Sequence, residues 1–457
     1  MPRLPLLVML SGTFMVVLDF FIVNVALPSI EQQLRAPPSV LQWVVAGYGL
    51  ANAAGLITGG RLGDLFGRKR MFMLGMLLFA LASAACGFAA TGGMLVAARV
   101  VQGLAGALLQ PQVLAILSVT YGGADRVRAF AAYGLTLGLG ATLGQLVGGV
   151  LIDWDLAGLG WRTCFLINVP IAAVALLLAA RGLPQGAAPR TGGGLDVRGA
   201  LLAAAAAVAL VWPLVEGRGA GWPAWALWTL ASSLAWVAAL ALHLRRRDRQ
   251  GRDGLVPWSL LRNPRFGAGL LTALAFYCGN ASLYFVLALY LQQGLGLAPL
   301  ASGLVFTVLA LGFFATSLAA PRLANAFGGA PIARGALLLA LGHALQWLVV
   351  AHAAGASQLA WGIPVLLLQG AGLGMVMAPL SSVVLAGLPA QHAGTGSGVL
   401  STVQQIGNAL GVALVGLVFY GVLRTGDMGR AFSAALLYLA ASALLVAVVH
   451  GRTRHRP

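Results

Sequence analysis

The sequence predicts an all-α integral membrane protein of two six-helix bundles with two more helices inserted between them, fourteen transmembrane helices in all. Three observations predict it. Of 457 residues, 60% are hydrophobic and 9% charged, whereas a soluble domain carries about 25% charged residues; lipid must be the solvent for most side chains. Apolar stretches near the roughly 20 residues that cross a bilayer follow one another with only short breaks of Gly, Pro, Arg and Asp. A segment that follows the second stretch recurs after the tenth.

The first stretch, Leu6 to Leu27, is too long for the apolar region of a signal peptide and leads into Pro28 without a small-residue cleavage pattern, so it reads as a span. The others lie at 40–60, 71–90, 94–119, 129–151, 163–181, 197–215, 224–243, 266–291, 300–320, 334–352, 359–384, 396–423 and 431–450. Residues 1–190 then form an N-terminal six-helix bundle and 191–245 hold the two additional helices. Residues 246–265 are a cytoplasmic linker, polar and broken by Pro257 and Pro264, and 266–457 form the C-terminal six-helix bundle.

The net charge of +17 would suggest a nucleic-acid partner in a soluble protein, but the basic residues follow the loops. With alternating spans and a cytoplasmic N-terminus, all Arg and Lys except Arg35, Arg99, Arg162, Arg218, Arg424 and Arg430 fall on the cytoplasmic side. That asymmetry is the positive-inside rule, which puts both termini in the cytoplasm and makes the lipid bilayer, not nucleic acid, the partner. Cys86, Cys164 and Cys278 are far apart and lack CxxC or His spacing, so neither a disulfide framework nor a metal site is expected. A single lysine and abundant Ala, Gly and Arg suit a GC-rich bacterial genome.

The recurring segment is Gly60-Arg-Leu-Gly-Asp-Leu-Phe-Gly67, echoed by Pro321-Arg-Leu-Ala-Asn-Ala-Phe-Gly328. In the same order, Gln102-Gly103 with Pro111 is echoed by Gln369-Gly370 with Pro379. Two halves related by a parallel repeat, with a helix pair inserted, account for both the nearly constant offset and the span count.

The segment Gly60, Arg61, Leu62, Gly63, Asp64, Leu65, Phe66, Gly67, Arg68, Lys69, Arg70 is the strongest local signal. Its glycines permit a tight turn. Asp64 can cap the next helix or pair with a nearby Arg, and such a pair can act as a latch between helix bundles during a conformational switch. A basic anchor with a turn is the plainer reading. The loop resembles the signature of the major facilitator superfamily, with Leu65 in place of a basic residue. Leu18-Asp19-Phe20-Phe21-Ile22-Val23-Asn24-Val25-Ala26-Leu27-Pro28 is similar to the first span of its fourteen-span drug:proton antiporter family, of the multidrug efflux permease type, with Phe21 where Thr is usual. Arg99-Val-Val-Gln102-Gly103 resembles the family element linked to proton coupling. Gly140, Gly144, Gln145, Gly148 and Gly149 resemble the antiporter glycine motif, with Gln145 in place of Pro; small residues at this spacing let two helix backbones approach. Trp161 to Pro170 also matches at the entry to the sixth span.

Asp19 is the only carboxylate placed well inside a span, and Arg99 the only cation. An ionised Asp at mid-bilayer costs about 2.5–3.5 kcal/mol on insertion scales, so Asp19 is the candidate proton site and Arg99 the group that tunes it. A permanent Asp–Arg brace is the structural alternative for both. Asn24, Gln42, Asn52, Gln102, Gln112, Asn280, Tyr284, Gln292, Gln404 and Asn408 are candidates to line a substrate cavity or to bridge helices by hydrogen bonds. Phe14, Phe21, Trp43, Phe276 and Phe285 offer aromatic surface, while His343 and His352 read as packing or interfacial residues.

The expected function is proton-coupled export of small hydrophobic or amphipathic compounds by alternating access, an antiporter of the bacterial inner membrane that bears on antibiotic resistance. The proton gradient is its energy source and no cofactor is needed. Proton symport for uptake is the alternative, and a non-transport membrane protein the more distant one. No HExxH, GxSxG or Gly-x-x-x-x-Gly-Lys-(Ser/Thr) element occurs, which argues against an enzyme and against ATP as driving force. Substrate and protons are the partners expected; a periplasmic adaptor is left open.

Overall fold

The computed structural model describes residues 3–183, 196–252, 254–319, 323, 331–353, 356–385, 388 and 393–454. Among these residues there is no strand, and fourteen helices are long and apolar enough to cross a membrane. The chain divides into two compact units, Met1–Trp258 and Ser259–Pro457.

The first unit begins with α1 (Arg3–Leu34), α2 (Pro38–Phe66), α3 (Arg68–Gly87), α4 (Gly92–Thr120) and α5 (Gly123–Trp154). The sixth span is built from α6 (Thr163–Leu166) and α7 (Asn168–Gly182), and the inserted pair is α8 (Val197–Glu216) and α9 (Ala224–Arg249), followed by the short α10 (Trp258–Leu261). Local chemistry sets several ends. Pro38 opens α2, where its missing N–H costs nothing; Thr91 caps α4 by accepting from the Met94 N–H at 3.2 Å; and Gly67, at φ +95°, makes the turn between α2 and α3.

Helix α2 packs on α4, α3 on α4 and α7, α1 on α5 and α7, and α8 on α9 and α2. Glycine decides where backbones meet: a Cβ on Gly103 of α4 would strike the Tyr48 carbonyl of α2, and one on Gly59 the Ala107 carbonyl. The interior is apolar, with Phe72, Phe79 and Leu109 fully buried. The outside is apolar too: Trp228 and Leu234 of α9 are about three-quarters exposed, as lipid-facing side chains should be. Trp43 of α2 donates through Nε1 to Glu216 at 2.8 Å, which ties the inserted pair to the bundle.

The second unit contains α11 (Pro264–Leu289) with a π turn at Tyr290–Gly294, α12 (Pro299–Leu318), α13 (Pro331–His352), α14 (Ala356–Leu385), α15 (Ala393–Leu423) and α16 (Met428–Arg454). Its pairings repeat those of the first: α12 and α13 on α14, α11 on α15 and α16, α13 on α16. The Gln-Gly repeat has the same physical meaning in both, since a Cβ on Gly370 would strike the Leu309 carbonyl of α12. The echo Pro321–Gly328 lies outside the described residues except for Leu323.

Two boundaries move. Helix α9 continues to Arg249, so Arg246, Arg247 and Arg249 form its last turn instead of opening a linker; cations are favourable at a helix C-terminus. The division between units falls after Trp258, thirteen residues into the segment read as linker.

Candidate functional site

Asp19 of α1 and Arg99 of α4, both without solvent exposure, meet in the interior of the first unit. Arg99 donates through Nη1 to Asp19 Oδ2 at 2.5 Å. Gln102, one turn along α4, donates to Asp19 Oδ1 at 2.8 Å and accepts from Arg99 Nη1 at 2.7 Å. Asn168, the first residue of α7, donates to the same Oδ1 at 2.8 Å. Ser83 of α3 accepts from Gln102 and Asn168, each at 3.0 Å, and donates to the Phe165 carbonyl at 2.8 Å. From α2, the Val44 carbonyl accepts from Arg99 Nε at 2.9 Å, and the Tyr48 ring lies 4.2 Å from the guanidinium carbon.

Five helices thus meet in one cluster around a carboxylate whose three donors are Arg99, Gln102 and Asn168. The charges of Asp19 and Arg99 cancel, which is how an apolar bundle tolerates them. A proton on Oδ2 would remove the negative charge that faces Arg99, so protonation weakens the bond that holds the present geometry. Arg99 also retains Nη2, and Asn168 its Oδ1, without a hydrogen-bond partner among the described residues.

The glycine element holds α1 in place around Asp19. A Cβ on Gly140 would lie 3.0 Å from Val17; on Gly144, 3.1 Å from the Leu18 carbonyl and 3.3 Å from Ile22 N; on Gly148, 2.8 Å from the Ile22 side chain. Gly149 and Gln145 are buried, and α5 runs through Gln145 as one helix.

The Gly60–Arg70 segment is mostly helix. Because α2 persists to Phe66, Gly60, Arg61, Gly63 and Asp64 lie on its last turns and only Gly67 turns the chain. Gly63 leaves room for Gln112, whose amide donates to the carbonyls of Gly59 at 2.7 Å and Leu108 at 3.0 Å. Asp64 does not cap α3, whose N-cap is Gly67 without a side-chain bond; one turn before Arg68, it pairs with Arg68 Nη2 at 3.1 Å instead. Arg68 also donates to the Ala115 carbonyl at 3.2 Å, and Lys69 to the carbonyls of Ala180 at 3.0 Å and Leu183 at 2.8 Å, closing the end of α7. Arg70 is exposed.

Of the residues read as cavity candidates, Gln102 belongs to the Asp19 cluster. Asn52 bridges α2 to the Gly103 carbonyl at 3.2 Å, Asn24 donates to the Phe21 carbonyl of its own helix at 3.2 Å, and Asn408 to Gln405 at 3.1 Å. Tyr284 stacks on Phe306 at 5.6 Å. Gln42 and Asn280 are buried and Gln404 half-buried. Ser83, Tyr48 and Asn168 belong to the same cluster and were missed by sequence reasoning. Asn168 stood inside a recognised motif; Ser83 and Tyr48 carried no signal beyond a polar group in an apolar run.

A second carboxylate cluster lies at the start of α8. Asp196 caps the helix through the Gly199 N–H at 3.0 Å, meets His243 Nε2 at 2.8 Å and Arg247 Nη1 at 3.6 Å, and accepts from the Leu255 N–H at 2.8 Å. Burial works against its charge, but the His243 bond and the two backbone donors hold its carboxyl below the usual carboxylate range.

The family model for the Major Facilitator Superfamily matches residues 9–412. The probable actinorhodin transporter of Streptomyces coelicolor is 40% identical over 420 residues, 91% of this chain and 72% of that one. The tetracenomycin C resistance and export protein of Streptomyces glaucescens is 34% identical over 93% and 76% of the two chains. The multidrug resistance protein Stp of Mycobacterium tuberculosis (strain CDC 1551 / Oshkosh) is 31% identical over 89% and 74%. Among solved structures, the POT family transporter PepTSo superposes with a TM-score of 0.71 at 15% identity over 100% and 99% of the chains, and the xylose transporter XylE from E. coli with 0.66 at 15% over 100% and 99%. With the family model spanning most of its length and relatives this similar, the chain belongs to the Major Facilitator Superfamily.

Proposed function

We infer that this protein exports small hydrophobic or amphipathic compounds in exchange for protons, across the cytoplasmic membrane of a bacterium and with both termini in the cytoplasm. The buried Asp19–Arg99 pair carries this reading. The relatives named for transport of actinorhodin, for resistance to and export of tetracenomycin C, and for multidrug resistance support the direction and the kind of cargo. The distribution of Arg along the chain supports the orientation.

In this reading Asp19 exchanges the proton at Oδ2. With Asp19 ionised the pair is closed. When the carboxyl is protonated, Arg99 keeps Gln102, the Val44 carbonyl and the Tyr48 ring but loses its counter-charge. Removing one partner from a buried pair costs about 3–5 kcal/mol, against about 2.3 kcal/mol gained by one charge crossing 100 mV. The terms are of one size, so a proton entering or leaving biases α1 against α4 strongly enough to shift a two-state carrier. Alternating access then follows from which state binds the proton and which the compound.

Expression in an efflux-deficient host tests the reading. Wild type should raise resistance to some members of a panel of hydrophobic toxic compounds, ethidium and aromatic antibiotics among them, and lower their accumulation; Asp19→Asn at equal membrane abundance should not. Increased accumulation in the wild type would indicate uptake and overturn export.

A further inference from the structure

The second unit repeats the helix pairing of the first, so α11, α13, α14 and α16 correspond to α1, α3, α4 and α7, the helices that supply Asp19, Ser83, Arg99, Gln102 and Asn168. At this corresponding junction lies a cavity of about 10 Å³, lined by Asn280 of α11, His343 of α13, Leu373 of α14 and Ser442 of α16 among apolar neighbours. That is room for about one water molecule. His343 is 2% exposed and its Nδ1 makes no hydrogen bond among the described residues. Gln369, the repeat counterpart of Gln102, donates to the carbonyl of Gly342, the neighbour of His343, at 3.2 Å, and its Oε1 is likewise without a partner.

An imidazole carries a cost here that an apolar side chain would not. A buried ring nitrogen without a hydrogen bond costs about 1–3 kcal/mol, and leucine or methionine would fill the space without that cost. The wider sequence sharpens the point. The second unit contains one carboxylate, Asp427, in the turn before α16, and no lysine. Besides His343, none of the residues that α11, α13, α14 and α16 contribute to the cavity wall is titratable. His343 lies midway along α13 and brings the ionisable side chain of that wall, an imidazole whose second nitrogen can take up and release a proton.

We propose that His343 is a second proton-binding site, the counterpart of the Asp19 cluster in the C-terminal unit. In the tautomer with hydrogen on Nε2, the Nδ1 lone pair takes a proton from a hydronium ion in the cavity. The new N–H bond forms as one O–H bond of hydronium breaks, its electron pair stays on oxygen, and water is released; deprotonation reverses the step. The polar side chains of the cavity wall, Asn280 and Ser442, are the acceptors at hand for the imidazolium. The use of this site in transport rests on the reading of the protein as proton-driven, whereas proton binding itself does not.

The test is nitrogen NMR of the full chain in lipid nanodiscs with ring-¹⁵N histidine, from about pH 4 to 8. One histidine should pass from the unequal ring-nitrogen shifts of a neutral tautomer to the nearly equal shifts of imidazolium, and its signals should vanish in His343→Gln. If His343→Gln does not fold, a chain with the other five histidines replaced by Gln leaves His343 as the sole signal. His343 signals that stay those of a neutral ring throughout would overturn the proposal. The titration should persist in Asp19→Asn, so failure of export through Asp19 and failure of the His343 site give different results.

Discussion

At the scale of single residues, the charge pair is held by neutral partners as much as by its own attraction. Asn168 and Gln102 both donate to Asp19 Oδ1, and Ser83 receives a bond from each. Asn168→Ala should lower thermal stability in detergent by about 1–3 kcal/mol, the cost of leaving buried groups unsatisfied, and should shift the pH midpoint of transport, because a donor to the ionised carboxyl is lost. An unchanged pH profile would show that Asn168 only packs. The cluster was half legible in advance. Asp19 and Arg99 stand out because charge inside an apolar run is expensive; Ser83 and Tyr48 do not, because a neutral polar group within a span is common, and only the helix pairing reveals that they join the cluster and that Asn168 reaches the carboxylate.

At the scale of elements, α5 presses on α1 around Asp19, with Gly144 at 3.1 Å from the Leu18 carbonyl for an added Cβ. Gly144→Val should push the helices apart, cost about 1–3 kcal/mol of stability from overpacking, and reduce coupled transport more than Gly134→Val on the same helix, where a Cβ meets nothing within 4 Å. Equal effects of the two would remove the glycine contact from the account. The inserted pair has its own fastening at Asp196. Its carboxyl is held below the ordinary range in the folded protein, so it stabilises above the unfolded value of about 3.9, and that contribution fades as pH falls through the lower, folded value. Asp196→Asn should therefore melt earlier than wild type at pH 7, with the gap closing as the solution is acidified below about pH 4; a gap independent of pH would contradict the electrostatic origin. Hydropathy located both inserted helices in the sequence, but not this knot, because Asp196 and His243 are brought together by the turn between α8 and α9, and Leu255 by the turn that follows α9.

At the scale of the whole molecule, the number of spans and the repeat of helix pairings were readable because lipid imposes a length and an apolarity on every span. Helix ends were less readable. Helix α2 continues through the glycine-rich segment to Phe66, since backbone bonds within a helix satisfy polar groups better than a loop near the membrane surface would, and glycine there serves the close approach of Gln112. The account as a whole claims that proton exchange at Asp19 drives movement of the exported compound. The most direct measurement reconstitutes the protein in sealed proteoliposomes with a compound found in the resistance screen, imposes a pH difference of one unit, and follows the compound. For exchange of one proton per neutral molecule, that difference sustains up to about tenfold accumulation on the acidic side. Wild type should approach it, while Asp19→Asn should catalyse counterflow without net accumulation. Accumulation by Asp19→Asn equal to that of the wild type would contradict the claim.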